Sequence, residues 1–252
     1  IIHRDYYMNI LAIDTATEAC SVALMGSSVS SNPQNPALQN HTTDPVDSIF
    51  EICPQQHSQQ ILPMIDTILT RSSVLPANLS AIAYGCGPGS FTGVRIAAST
   101  VQGLAFGADL PVVQVSTLAT MAQQVYAQTG RTEHLVLIDA RMQEVYMGHF
   151  TIVDGIASAQ MKEVVVAPQD ALDYWRSLPQ DIGLAGTGFV TYASLFSEAL
   201  QRFTLDVLYP NAAYMLPFAQ QALKKKTTIT VNEIEPVYVR DTVTWKKLPH
   251  KM

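Results

Sequence analysis

From Met8 onward the chain passes twice through the same order of elements, and that repeat limits the available folds more than any single motif. "NILAIDTA" and "ACSVALM" are apolar, β-rich runs around a polar "TATEA", which spells a hairpin with Asp14 and Thr15 at its tip. "SIFEIC" reads as a third strand ended by Pro54. "HSQQILPMIDTILTR" places Ile61, Leu62, Ile65, Ile68 and Leu69 at helical spacing, with Ser58 as its cap and Pro63 loosening its first turns. A strand "LSAIAYGCG", a helix "TGVRIAASTVQGLAFGAD", a strand "LPVVQVS" and a helix "TLATMAQQVYA" complete the first set.

The second set repeats the meander with "HLVLIDA", "EVYMGHF" and a strand around "EVVVA". It then alternates a helix "PQDALDYWRSL", a strand "IGLAGTG", a helix "YASLFSEALQ", a strand "DVLYP" and a helix "AAYMLPFAQQALKKK". Strand meanders followed by alternating helices and strands indicate an α/β chain of two related lobes, residues 8–130 and 131–226, with an extended tail over 227–252. At 252 residues and 48% apolar composition the chain can bury the cores this requires.

Two segments stand apart from the repeat. Ile1 to Tyr7 fits neither a strand nor a targeting pattern, and is read as expression-derived or mis-assigned residues before a natural start at Met8. Gly26 to Asp47, rich in Ser, Asn, Pro and Gln and without periodicity, is expected to be disordered and dispensable. A net charge of −6 argues against a free-standing nucleic-acid binder, and no uncharged apolar run is long enough to span a membrane. Lys246 and Lys247 beside Trp245 suit an RNA contact or a solvated tail. Cys20, Cys53 and Cys86 are far apart in sequence and form no CxxC pair, in keeping with a reducing cytoplasm.

The stretch "GCGPGSFTGVR", Gly85 to Arg95, is the densest candidate for chemistry. It has no Lys and so is not a Walker loop, and its glycine spacing fails the dinucleotide fingerprint. Backbone donors of Gly87, Gly89 and Ser90 at a helix start would still attract an anion, and Asp14 with Thr15 could orient a metal-bound phosphate. The same residues equally suit tight turns with no ligand. Asp139 and Arg141 would make a second polar tip facing the first across the cleft between lobes. The histidines show no paired-ligand spacing and no G-x-S-x-G elbow is present, so neither a metal site nor a serine hydrolase is expected.

Taken together, "MNILAIDTATEACSVAL", "GPGSFTGVRI", "VSTL", "IDARMQEVY" and "EPVYVRDTVTWKKLP" resemble the bacterial TsaB (YeaZ) family over nearly the whole chain from Met8. The resemblance implies a two-lobed ASKHA (actin-like, sugar-kinase-like) fold, each lobe a mixed sheet flanked by helices. It also implies a cytoplasmic role in making threonylcarbamoyladenosine beside the anticodon of tRNAs that read codons beginning with A. In that system the paralogue TsaD transfers the threonylcarbamoyl group from its adenylate, the ATPase TsaE assists, and TsaB-like proteins pair with TsaD. TsaD-like relatives carry a His-x-x-x-His metal motif after the strand equivalent to "PVVQV", where this chain has Ser116 to Ala122 without a ligand. The chain also departs from the pattern in its long Gly26–Asp47 connection, in lacking Gly within "DTAT", and in Gln143 where Gly is expected.

The resemblance therefore implies a helper with no catalysis of its own, contacting tRNA only through the complex. No cofactor is required, and weak ATP or ADP binding is the most the inherited scaffold would allow. An ASKHA-type ATPase or phosphotransfer enzyme is the alternative, with an M22-type glycoprotease behind it. The expected partner face joins Ile61, Ile65, Ile68 and Leu69 of one helix to Arg95, Ala97, Ala98, Val101 and Ala105 of the next. It would dock on the matching helices of TsaD, and on a second copy when TsaD is absent.

Overall fold

Apolar side chains on both faces of β1 (Ile10–Asp14) and β2 (Ala19–Met25) mean that this hairpin must be covered on two sides. The computed structural model describes residues 8–26, 46–202 and 206–240. The two strands pair antiparallel, Ile13 opposite Val22. Further elements of this half are β3 (Val46–Ile52), α1 (His57–Arg71), β4 (Ala81–Gly87), α2 (Phe91–Ala108) and β5 (Val112–Ser116). The five strands form one mixed sheet in the order β3-β2-β1-β4-β5, in which β4 runs parallel to both β1 and β5. Leu11, Ile13, Val22 and Leu24 point to the side covered by α1 and α2.

A second sheet holds β6 (Glu133–Asp139), β7 (Val145–Val153), β8 (Ile156–Ala159) and β10 (Gly183–Ala185) in the order β10-β6-β7-β8, while β9 (Val164–Val166) pairs with β7. Two mixed sheets flanked by helices constitute the two-lobed ASKHA-type architecture that the resemblance implied, and they account for the two related lobes read from the repeat. The lobes nevertheless exchange helices. α3 (Thr117–Thr129) lies in the first-lobe stretch of sequence but packs Leu118, Met121 and Val125 against Val136, Ile138 and Phe150 of the second sheet. α7 (Leu216–Lys225) belongs to the second stretch, yet with the 3-10 turn Ala212–Met215 it covers Ile10, Ala12 and Ala23 of the first sheet. Boundaries at residues 130 and 226 thus follow the chain rather than the packing.

Several local expectations change. Gln56, not Ser58, precedes α1, and no side chain caps that helix. α1 runs unbroken through Pro63, which sits on its exposed face. β8, only four residues long and mostly of small side chains, escaped the strand pattern. Of the helix expected over "YASLFSEALQ" only the second half forms, as α6 (Ser197–Arg202); a short helix α5 (Thr187–Thr191) precedes it where the strand "IGLAGTG" was expected to end, and α4 (Pro168–Arg176) comes before both. "DVLYP" forms no strand, although the Val207 carbonyl accepts from the Gly186 amide. Pro217 stands in the first turn of α7, which explains why that helix begins later than its apolar run.

As far as Arg240 the tail runs largely extended and is docked. Ile229 bridges Val112, a capping box of Thr230 and Glu233 closes a 3-10 turn, and Ile234 enters the first core. The readings of Ile1–Tyr7, of nearly all of Gly26–Asp47, and of Trp245, Lys246 and Lys247 fall outside the described residues. No helix among the described residues is long and apolar enough to cross a membrane.

Candidate functional site

The hairpin tip and the glycine-rich loop do meet, which brings Asp14, Thr15, Gly87, Gly89 and Ser90 together as the sequence suggested. Their polar groups, however, engage one another. Thr15 Oγ1 donates to the Gly93 carbonyl at 2.7 Å, and the Ser90 amide donates to the Ala16 carbonyl at 2.7 Å. Ser90 Oγ caps α2 by accepting from the Gly93 amide. A Cβ on Gly89 would lie 2.3 Å from the Ala16 oxygen, and one on Gly93 2.0 Å from the Thr15 oxygen. The glycines therefore let the tip sit directly on the loop. Gly87, at φ 109°, is contacted from the other side by the carbonyl of Val237.

Asp14 is fully buried. Its Oδ1 accepts from the Ala16 amide at 2.9 Å, while Oδ2 has no protein partner. Loss of water around the carboxyl pushes it up to about 7, and the Ala16 hydrogen bond only partly opposes this. Cys20 and Cys86 are buried and raised to about 12, so neither is an activated nucleophile.

Across the cleft, Arg141 reaches Glu18 of the first tip at 2.8 Å and Asp139 at 3.2 Å, so the two polar tips face each other as expected. Exposed pairs of this kind hold position more than they stabilise. Arg141, Met142 and Gln143 take φ of 62°, 53° and 61°, a left-handed run that explains why Gly suits position 143. At the start of α3, Ser116 Oγ donates to Glu163, whose carboxyl is raised by burial against that same hydrogen bond. Among the described residues no group of His, Cys, Asp and Glu is arranged to hold a metal ion.

The helical face needs correction. Ile61, Ile65, Ile68, Leu69, Ala97, Ala98, Val101 and Ala105 are all buried in the first lobe's own core. The strongest apolar stripe on each helix faces the sheet, because the sheet is the larger apolar surface available to it. Of the residues expected at a partner face only Arg95 points outward. The outward face instead presents Leu62 (56% exposed), Phe91 (60%) and Phe106 (80%). Between α1 and α2 lies a groove of about 380 Å³ whose walls include Leu62, Phe91, Arg95 and Ile96. Leu62, grouped by spacing with the buried stripe of α1, and Phe106, outside the stripe of α2, are the residues that mark this face.

A family model described as "TsaD: tRNA N6-adenosine threonylcarbamoyltransferase" matches residues 49–248. Among curated relatives, the "tRNA threonylcarbamoyladenosine biosynthesis protein TsaB" of Escherichia coli (strain K12) is 44% identical over 97% of this chain and 100% of its own length. The protein of the same name from Haemophilus influenzae is 39% identical over 96% of this chain and 98% of its own length. The solved structure "YeaZ from Pseudomonas aeruginosa" superposes with a TM-score of 0.73 at 34% identity, covering 92% of this chain and 99% of that one.

Proposed function

The chain belongs to the TsaB (YeaZ) family, and from that premise we propose that it is the non-catalytic partner of a TsaD-type transferase. The transferase moves threonylcarbamoyl from its adenylate to the adenosine beside the anticodon of tRNAs reading codons that begin with A. The curated relatives' names support the pathway, and the family-model match over residues 49–248 supports a paralogous relation between this chain and the transferase.

The observation that carries the helper role is the contrast between two surfaces. At the tip and loop, Thr15 and Ser90 make their hydrogen bonds to Gly93 and Ala16 of the same chain. On the outer face of α1 and α2, large apolar side chains stand exposed around a groove. Such a face marks association. TsaE joins the pair, tRNA is met only through the complex, a second copy occupies the face when the transferase is absent, and the work is done in the cytoplasm. Nucleotide is not required.

The test is to mix the chain with its cognate TsaD and weigh the product by light scattering. A stable one-to-one complex is expected, and Leu62→Arg, which introduces a charge on an exposed position, should abolish it without changing the circular dichroism spectrum. A wild-type chain that stays unbound, or a Leu62→Arg variant that binds normally, would overturn the proposal. Magnesium-dependent ATP turnover that persists through purification and disappears on replacing Asp14 would favour the enzymatic alternative.

A further inference from the structure

The two lobes are joined on both sides of the first sheet, and the two junctions differ in kind. On the side of Ile10, Ala12 and Ala23, the exchanged helices α3 and α7 pack across the boundary, and Phe218 of α7 borders a core of each lobe. A junction confined to that side would act as a hinge, because packed helices can shear past one another. On the opposite side, which α1 and α2 cover, the lobes are tied by residues 234–240.

The first part of this segment is fixed to the first lobe. Ile234 enters the core under α1 and α2. The Glu235 carbonyl accepts from Tyr84 Oη at 3.1 Å and from Gln114 Nε2 at 2.9 Å, which seats it on β4 and β5. The Val237 amide donates to the Cys86 carbonyl at 2.7 Å, and the Tyr238 ring packs against Phe91 with centroids 5.6 Å apart. Two residues on, Arg240 grips the second lobe. It donates to the Ala140 carbonyl at 3.1 Å, to Met142 Sδ at 3.3 Å and to the Glu144 carboxylate. Extended backbone advances about 3.3 Å per residue, so the span from Tyr238 to Arg240 is only about 7 Å and leaves little slack.

The turn that Arg240 grips is itself strained. Arg141, Met142 and Gln143 stand in succession at φ of 62°, 53° and 61°. Such a run of non-glycine residues persists only where the surroundings over-determine it. Here the first lobe holds it twice. Glu18 of the hairpin tip accepts from Arg141 at 2.8 Å, and Arg240 holds residues 140, 142 and 144 from the other direction. The Arg141 pair is exposed and weak by itself, whereas the Arg240 side chain is only 17% exposed and binds a main-chain carbonyl as well as a carboxylate.

We propose that residues 234–240 are a latch that holds the two lobes at one fixed angle, fastening the left-handed turn of the second lobe to β4 and the start of α2 in the first. The two ends of the latch act in series, so release of either end frees the lobes on this side. The contact between Glu18 and Arg141 acts in parallel with it. Because the Val237 carbonyl lies 2.8 Å from where a Cβ on Gly87 would stand, the closed latch also covers that face of the glycine-rich loop. The latch does not depend on the transferase partnership, and its test needs no partner.

Spin labels on Gln102→Cys in α2 and Gln169→Cys in α4, both exposed positions, report the distance between lobes by electron double resonance. The native Cys20, Cys53 and Cys86 are buried, which leaves the introduced thiols as the reactive ones. The full chain should give one narrow distance. Val237→Pro removes the amide that donates to Cys86, at an exposed residue of the strap, and Arg240→Gln releases the other end. Each should broaden the distance distribution by about twofold, and the two together should broaden it no further. Adding Glu18→Gln to Arg240→Gln should broaden it more. Val237→Pro should also speed amide exchange in the turn at 140–144 of the opposite lobe, which loss of one local hydrogen bond would not do. It touches no side chain of either lobe, so it decides the matter even if Arg240→Gln proves unstable. A narrow, unshifted distance in a strap variant whose circular dichroism is native overturns the latch, as does a broad distribution in the parent chain. A double strap variant broader than either single one shows that the ends act independently, and overturns it as well.

Discussion

Replacing Asp14 with Asn should remove a large pH dependence from the stability of this protein. The substitution preserves the shape of the side chain and the Oδ1 acceptor for the Ala16 amide, and removes only the ionisation. In the folded state burial keeps the carboxyl protonated up to about 7, against an ordinary value of 3.8. Between these values the folded state holds a proton that the unfolded state has released, so stability falls as pH rises and is lowest above the folded pKa. The span of about three units corresponds to about 4 kcal/mol. His134 works in the opposite direction: burial lowers it from 6.5 to about 4, so its contribution is present above 6.5 and is lost as pH falls toward 4. Wild-type stability alone would partly hide both effects. The difference between wild type and Asp14→Asn isolates the carboxyl, because His134 is common to both. Urea unfolding followed by circular dichroism at about pH 5 and about pH 7.5 should show the variant gaining on wild type by about 3 kcal/mol across that interval. Parallel behaviour at both pH values would show that Asp14 ionises normally, and that the tip does not seal it from water.

Other consequences are simpler to read. Val101→Arg places an unpaired charge in the first core and should lower stability by about 4 kcal/mol or more, seen as loss of the cooperative unfolding transition. Gln143→Gly relieves a side chain held at φ 61° and should raise stability by about 0.5–1 kcal/mol in the same assay. A lower midpoint would mean that the Gln143 side chain makes a stabilising contact in solution. Gly93→Ala forces a Cβ against the Thr15 carbonyl and should destabilise by about 2 kcal/mol, with faster amide exchange at the hairpin tip. Unchanged exchange there would argue that the tip does not depend on this close approach.

The amino-acid order by itself determined most of the elements and their repetition, though not β8 or the irregular "DVLYP". The apolar, β-rich runs "NILAID" and "ACSVAL", the 3.6-residue spacing of Ile61, Ile65 and Ile68, and Ser90 before α2 are local signals, and local signals survive without knowledge of what lies opposite. The meeting of the Asp14 and Arg141 tips was legible for the same reason, since each lies at the end of a recognisable strand. Which surface each helix covers was not legible. α3 crosses to the second sheet and α7 returns to the first because each sheet had an uncovered apolar face, and burial depends on shape complementarity between segments far apart in the chain. That competition also turned the stripe of Ile65 and Val101 inward and left Leu62, Phe91 and Phe106 outside. Likewise, "GPGSFTG" could be read as a loop open to phosphate until Thr15 and Ala16 were seen pressed against it. Spacing specifies where backbone donors lie along the chain, but only the tertiary structure decides whether water, a ligand or another part of the same chain satisfies them.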